Sequence, residues 1–289
     1  MKKIIIFLIV ILSGNDLFSQ YISEPTFSKP ETFKNEQITG VVFKHIFNSK
    51  ILENKRDIYV WLPSEYKFTK KKYPLLIVHD GGSVFYSRGG FGAKNKSKGE
   101  LIINKKGWNL DESVTELIAS KKMEPIIMVG VSNTKDRGSE YVPTKNGSKY
   151  GEALIKELIP EIKKNYRINL NDIGTLGSSA GGVISLYLGW ELNKTFKKAI
   201  CLSPGIIYRD QDYYQKIIKT NIPKKLKLAV VNGTDNFDSN LQIGVDKFIG
   251  YLEKINFSSK NYLYWIEKDG THGAKSWSKQ AKKILEWMY

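Results

Sequence analysis

One segment, 173–188, most constrains what this 289-residue chain can fold into. Ile173-Gly174-Thr175-Leu176 is a short apolar run, Gly177-Ser178-Ser179-Ala180-Gly181 follows at once, and Gly182-Val183-Ile184-Ser185-Leu186-Tyr187-Leu188 is apolar at helical spacing. A strand that passes through small residues directly into a helix is one half of a strand-helix-strand unit. The Gly-x-Ser-x-Gly pattern lets the chain turn sharply, so the Ser179 side chain stands exposed at a strand's carboxyl end, over a helix N-terminus. Ser179 is the candidate nucleophile, with Ser178 as its neighbour.

The rest of the chain repeats this rhythm. Segments 41–47 and 57–62 read as two strands joined by a polar turn near Asn54-Lys55. The continuous apolar runs Leu75-Leu76-Ile77-Val78 and Pro125 to Val131 suit strands buried on both faces of a parallel sheet. Helices are predicted over 110–120 and 151–164, the second with Leu154, Ile155, Leu158 and Ile162 on one face. After Ser179 the expected order is helix, strand 198–202, an irregular segment, strand 226–231, helix 241–255, strand 261–266 and helix 275–288. Alternation of this kind predicts an α/β fold, a mostly parallel doubly wound sheet preceded by an antiparallel N-terminal pair. A loop of about twenty residues, 87–106, interrupts the rhythm, and loops that long in compact domains are usually functional or mobile.

Residues 1–19 read as a secretory signal peptide: a basic Lys2-Lys3, an apolar run Ile4 to Leu12 too short to span a bilayer, and small Ser19 at the cleavage position. A polar leader, 20–40, then precedes one domain over 41–289. The expected location is secreted or periplasmic, with no stable membrane insertion after cleavage. Cys201, the single cysteine, lies in an apolar run and is expected in the core. The net charge of +16 comes from 45 basic residues of which only five are Arg, and the Lys are scattered. Without clustered Arg or an aromatic-basic repeat, no nucleic-acid partner is expected, and a diffuse Lys surface could attract acidic substrates.

A serine nucleophile needs a general base, and the base needs a carboxylate to orient it. With the chain order Ser, acid, His, only His272 of the three histidines follows Ser179. It sits in Gly270-Thr271-His272-Gly273, between the last strand and the last helix. Asp235, reached from strand 226–231 through Asn232-Gly233-Thr234, is the first candidate for the acid. Asp238 serves instead if that loop runs longer, and Asp269 is close to His272 along the chain. Oxyanion donors are expected from the Ala180 N–H and from Gly82 or Ser83 in the turn His79-Asp80-Gly81-Gly82-Ser83. His79 is expected to pack within that turn. The chemistry needs no metal and no organic cofactor.

At these segments the chain resembles the esterase family of the α/β-hydrolase superfamily, which includes enterochelin and other siderophore esterases, feruloyl and acetyl-xylan esterases and S-formylglutathione hydrolases. The resemblance runs from about His45 to the C-terminus. It is carried by Val60-Trp61-Leu62-Pro63, His79-Asp80-Gly81-Gly82, Trp108 to Glu112, Arg137 to Pro143, Glu157-Leu158-Ile159-Pro160, Gly177 to Gly182, Gly233-Thr234-Asp235, and His272 with Trp277. Ala180 stands where the family often has Met, and Gly82 where it often has Gln. Arg137 and Glu140 match a recurrent Arg-x-x-Glu, expected first as a structural ion pair bordering the site and second as a substrate clamp. The resemblance implies a serine esterase acting on a small-molecule or glycan ester through an acyl-enzyme. A siderophore lactone is the first expectation, a feruloyl or acetyl-xylan ester the second, and acyl transfer on the same fold a third.

Overall fold

The computed structural model describes residues 26–36, 38–85 and 107–289. The proposed signal segment and the 87–106 loop lie outside the described residues. In chain order the elements begin with strands β1 (Glu31–Phe33), β2 (Val41–Ser49), β3 (Asn54–Leu62) and β4 (Tyr73–His79). Helix α1 (Leu110–Ala119), strand β5 (Ile127–Val131), and helices α2 (Arg137–Glu140), α3 (Lys145–Ala153) and α4 (Ile159–Asn165) follow. Next come β6 (Ile168–Ser178), α5 (Ala180–Glu191), β7 (Phe196–Leu202), the small ribbon β8 (Ile207–Tyr208) and β9 (Gln211–Asp212), and α6 (Tyr214–Ile217). The chain ends with β10 (Lys227–Gly233), α7 (Asn236–Lys254), β11 (Tyr262–Glu267) and α8 (Ala274–Met288).

Among the described residues nine strands form one sheet in the order β1-β2-β3-β5-β4-β6-β7-β10-β11. The pairs β1–β2, β2–β3 and β3–β5 are antiparallel, and every pair from β5 to β11 is parallel. The mixed architecture read from the sequence is therefore the one observed. The described part of the leader joins it: Phe27 bridges to Phe47, and β1 pairs with β2.

Alternation hidden within the apolar runs divides the core into two layers. Leu75, Ile77, Ala199, Cys201, Leu228 and Val230 face one side, packed by α5 and α7 residues such as Leu186 and Phe248. Leu76, Val78, Ile200, Leu202, Ala229 and Val231 face the other, against Val114 and Leu117 of α1 and Ile284 and Leu285 of α8. Helix α5 is buried from Gly181 to Trp190, which explains why it is apolar all round. Cys201 is a free, buried thiol, as expected.

Two boundaries differ from expectation. The helix expected over 151–164 begins at Lys145 and widens to a π turn over Leu154–Leu158. Pro160 supplies the cause: it has no N–H for the Lys156 carbonyl, and its ring pushes that carbonyl away. Helix α7, expected from 241, begins at Asn236. That early start decides the role of the two aspartates beside it.

Candidate active site

The carboxyl ends of β4, β6, β10 and β11 converge on one edge of the sheet, where open α/β sheets bind ligands. Ser179 follows β6 directly, with φ 56° and ψ −124°. A non-glycine residue in such a region carries strain of about 1–3 kcal/mol. Several bonds hold it there: Ser179 N–H donates to Leu202 O at 2.9 Å, and Gly182 and Val183 N–H donate to Ser179 O at 3.0 and 3.1 Å. The turn is so tight that a Cβ on Gly177 would stand 2.3 Å from the Gly181 carbonyl oxygen. Glycine at 177 is a steric requirement of the bend.

His272 follows β11 in a loop fastened to the one after β10. Thr234 and Asp235 N–H both donate to Gly270 O, at 3.1 and 3.0 Å. Its ring packs between Phe237, 4.4 Å away centroid to centroid, and Trp277 at 5.0 Å. The carboxylate that meets the ring is Asp238: its Oδ1 lies 2.5 Å from His272 Nδ1. Asp238 is fully buried, and its Oδ2 accepts from Gly233 N–H at 3.0 Å and Ser203 Oγ–H at 2.9 Å. Trp277 Nε1–H in turn donates to Ser203 Oγ at 3.0 Å. Against a carboxylate the Nδ1 carries the hydrogen, which leaves Nε2 as the basic nitrogen.

Asp235, the first candidate for the acid, meets the His272 backbone and not its ring. Asp235 is the N-cap of α7: its Oδ1 accepts from Phe237 and Asp238 N–H at 3.1 and 2.8 Å, and its Oδ2 from His272 backbone N–H at 2.8 Å. Burial alone would raise its pKa, but the N–H groups of Asp238, His272 and Phe237 outweigh this and hold it below the usual carboxylate range. Because the helix starts immediately after Asp235, Asp238 falls in the first turn and points inward. Asp269 has φ 59° and donates its N–H to Thr234 Oγ1. It shapes the loop.

The turn after β4 begins with Asp80 in the left-handed region, φ 58°, followed by a single 3-10 turn over Gly81–Ser83. Ser83 N–H already donates to Asp80 O at 2.9 Å, as does Ser83 Oγ–H at 3.0 Å. Ser83 is thereby a poor oxyanion donor. Gly82 N–H and Ala180 N–H have no such commitment among the described residues. Behind the turn, His79 is fully buried between Tyr150 Oη at 3.0 Å and Thr175 Oγ1 at 2.8 Å, as its packing role required. Burial, aided by the Arg137 and Arg56 charges, lowers its pKa to about 3, so it is neutral.

Arg137 and Glu140 do not pair with each other. Arg137 Nε and Nη2 donate to Asp80 Oδ1 and Oδ2 at 2.7 and 2.8 Å. Glu140, 3% exposed, accepts from Arg56 Nη2 at 2.6 Å and Nη1 at 3.1 Å, and from Asn54 Nδ2 at 3.1 Å. One turn of helix directs the two side chains to opposite partners. Arg137 borders the cavity; Glu140 does not.

That cavity, of about 670 Å³, is lined by Ser179, Ala180, Arg137, Tyr141, Tyr208 and Phe237, together with the β8–β9 ribbon. The ribbon had no signal beyond the irregular segment expected between strands 198–202 and 226–231. Phe237 links cavity and base, since it lines the first and packs on the second. Among the described residues no cluster of His, Cys, Asp or Glu is arranged to hold a metal, and no helix is long and apolar enough to cross a membrane.

The mixed sheet and the sharp strand-to-helix turn at Ser179 have the form of the α/β-hydrolase fold. The family model described as "Putative esterase" matches residues 49–286, and the chain belongs to this family. Among solved structures, the enterobactin esterase of Shigella flexneri superposes with a TM-score of 0.66 at 16% identity, over 89% of this chain and 60% of that one. The present chain thus spans about three fifths of that protein. The BES protein of Bacillus cereus gives 0.66 at 17%, covering 90% of this chain and 99% of that one. A ferulic acid esterase gives 0.62 at 19%, covering 86% and 97%. At these identities the likeness is one of fold. A comparison with curated proteins found no match.

Proposed function

We propose that the protein is a secreted serine esterase in which Ser179, His272 and Asp238 form the catalytic triad. Ser179 Oγ attacks the ester carbonyl as His272 Nε2 takes its proton. The same proton then goes to the departing alcohol, and a water activated by His272 hydrolyses the acyl-enzyme. Asp238, in the role first expected of Asp235, keeps the hydrogen on Nδ1 and stabilises the imidazolium. The N–H groups of Ala180 and Gly82 bind the oxyanion. The observation that carries this reading is the buried Asp238 carboxylate on His272 Nδ1, beside a strained serine turn. The N-terminal pattern at 1–19 supports action outside the cytoplasm.

For the substrate, the cavity's aromatic wall, with Tyr208 and Phe237 rings 5.8 Å apart, suits an ester that carries an aromatic group. A siderophore lactone and a feruloyl glycan ester both satisfy that, but their charges differ. Of the three cations among the described residues that line the cavity, two are already neutralised, Arg137 by Asp80 and Lys216 by Glu191. Arg209 then stands against Asp210 and Asp212 on the same wall. This balance favours the less charged feruloyl glycan ester over an iron-bound catecholate, despite the basic surface. The test is a hydrolysis panel of feruloyl sugar, acetyl-xylan and catecholate trilactone, with and without iron. Preference for feruloyl sugar supports the reading; preference for the ferric trilactone overturns it. Product analysis with added acceptor alcohol separates hydrolysis from acyl transfer.

A further inference from the structure

We infer that Arg137 is a positioning residue, which sets the oxyanion-binding turn through Asp80 and cancels the charge Asp80 would otherwise present to the reaction. The inference rests on the serine-esterase reading above and concerns how its oxyanion site is held.

Asp80 opens the turn that carries Gly82, in a left-handed conformation that an L-residue adopts at a cost. Three contacts fix it. The Arg137 guanidinium grips both carboxylate oxygens, at 2.7 and 2.8 Å. Asp80 N–H donates to Tyr141 Oη at 3.1 Å, and Tyr141 also lies under the Arg137 guanidinium, 5.1 Å from ring centroid to Cζ. On the third side, Asp80 Oδ2 lies 3.3 Å from the place a Cβ on Gly181 would occupy, so the carboxylate abuts the Ser179 turn. Gly81 in turn packs so closely on β5 that a Cβ there would fall 2.1 Å from the Gly130 carbonyl carbon. The turn is clamped between the nucleophile's helix, α2 and β5.

The clamp has a firm base. Three residues on from Arg137, Glu140 is locked into the buried ion pair with Arg56 on β3, which fixes the axial position of the short helix α2. The turn of helix that Glu140 anchors in the sheet thus also carries the Arg137 side chain that holds Asp80. Chemistry makes the charge of this residue matter as well as its shape. The Asp80 carboxylate lies against the segment whose N–H groups would meet a developing oxyanion, and an unpaired anion there opposes that charge. A bidentate guanidinium supplies orientation and neutralisation together, and an ammonium supplies only the second.

The experiment compares Arg137→Ala, Arg137→Lys and the double variant Arg137→Ala/Asp80→Asn with the wild type. It uses p-nitrophenyl acetate turnover, the inhibition constant of a trifluoromethyl ketone, and thermal unfolding. Arg137→Ala is expected to lower kcat about 10–100-fold with KM within a few-fold, short of the loss seen when an oxyanion donor is removed outright. Trifluoromethyl ketone affinity should fall in parallel. Arg137→Lys should recover part of the loss, and the double variant should exceed Arg137→Ala alone because the unpaired anion is gone. A loss confined to KM marks a substrate clamp and overturns the inference, as does an unchanged kcat. So does a drop in melting temperature without any change in ketone affinity. If instead Ser179→Ala turns over ester at the wild-type rate, the function reading fails on its own measurement.

Discussion

Replacing Asp238 and Asp235 separately gives opposite outcomes, and the hydrogen bonds say why. In Asp238→Asn the new amide must fit the Gly233 N–H, which donates at 3.0 Å to Oδ2. Two donors cannot face each other, so the amide oxygen stays on Gly233 and the NH2 turns to His272. His272 Nδ1 then becomes an acceptor, its hydrogen moves to Nε2, and the base that Ser179 requires is lost. The wrong tautomer costs a factor of about 10³–10⁴ in kcat, or roughly 4–5.5 kcal/mol in the barrier. Asp235→Ala removes an N-cap, about 1 kcal/mol, and one hydrogen bond to His272 N–H of about the same size. Gly270 O still fastens the two loops through Thr234 and Asp235 N–H. The melting temperature should therefore fall by about 4–8 °C while kcat stays within about tenfold. Steady-state kinetics on p-nitrophenyl acetate beside differential scanning calorimetry reads both. A thousandfold loss in Asp235→Ala with a nearly active Asp238→Asn would refute the reasoning.

Three further outcomes follow from buried charge and close packing. Glu140→Ala strands the Arg56 guanidinium, whose side chain is 0% exposed, and is expected to cost about 3–5 kcal/mol in a denaturant titration. His79 has its pKa lowered to about 3 from 6.5, so the unfolded chain binds its proton first as pH falls. Its contribution is full above pH 6.5 and is lost between 6.5 and about 3, at about 1.4 kcal/mol per unit, and a His79→Gln variant should lack that slope in urea melts. Gly233→Ala would place a Cβ 2.3 Å from Gly270 O and 2.5 Å from Asp238 Oδ2, so kcat and melting temperature should drop together.

The sequence made the sheet legible because its buried strands are continuous apolar runs and its helices keep a 3.6-residue period. Ser179 and His272 were legible for another reason: strand ends and glycines mark where loops meet the sheet edge. The carboxylate that meets the His272 ring was not, because the start of α7 was read five residues late. Asp235 followed by Asp238 is a helix-start signal, an N-cap with an acidic residue in the first turn, and reading it so turns Asp238 inward. Arg137 and Glu140 were misjudged for a different physical reason. Spacing puts them on one turn of helix, yet whether they pair depends on Asp80, in the turn after β4, and Arg56 on β3, both distant in sequence. The β8–β9 ribbon and α6 are too short for any period to show.

The central claim is that Ser179 is the nucleophile of an esterase, and one measurement addresses it directly. The protein and Ser179→Ala are treated with a fluorophosphonate probe, the labelled residue is mapped by mass spectrometry, and p-nitrophenyl acetate turnover is followed in parallel. The account predicts labelling at Ser179 alone, with labelling abolished and turnover reduced by about 10⁴-fold or more in the variant. Labelling or turnover at wild-type levels in Ser179→Ala, or a label mapped to Ser178, would contradict it.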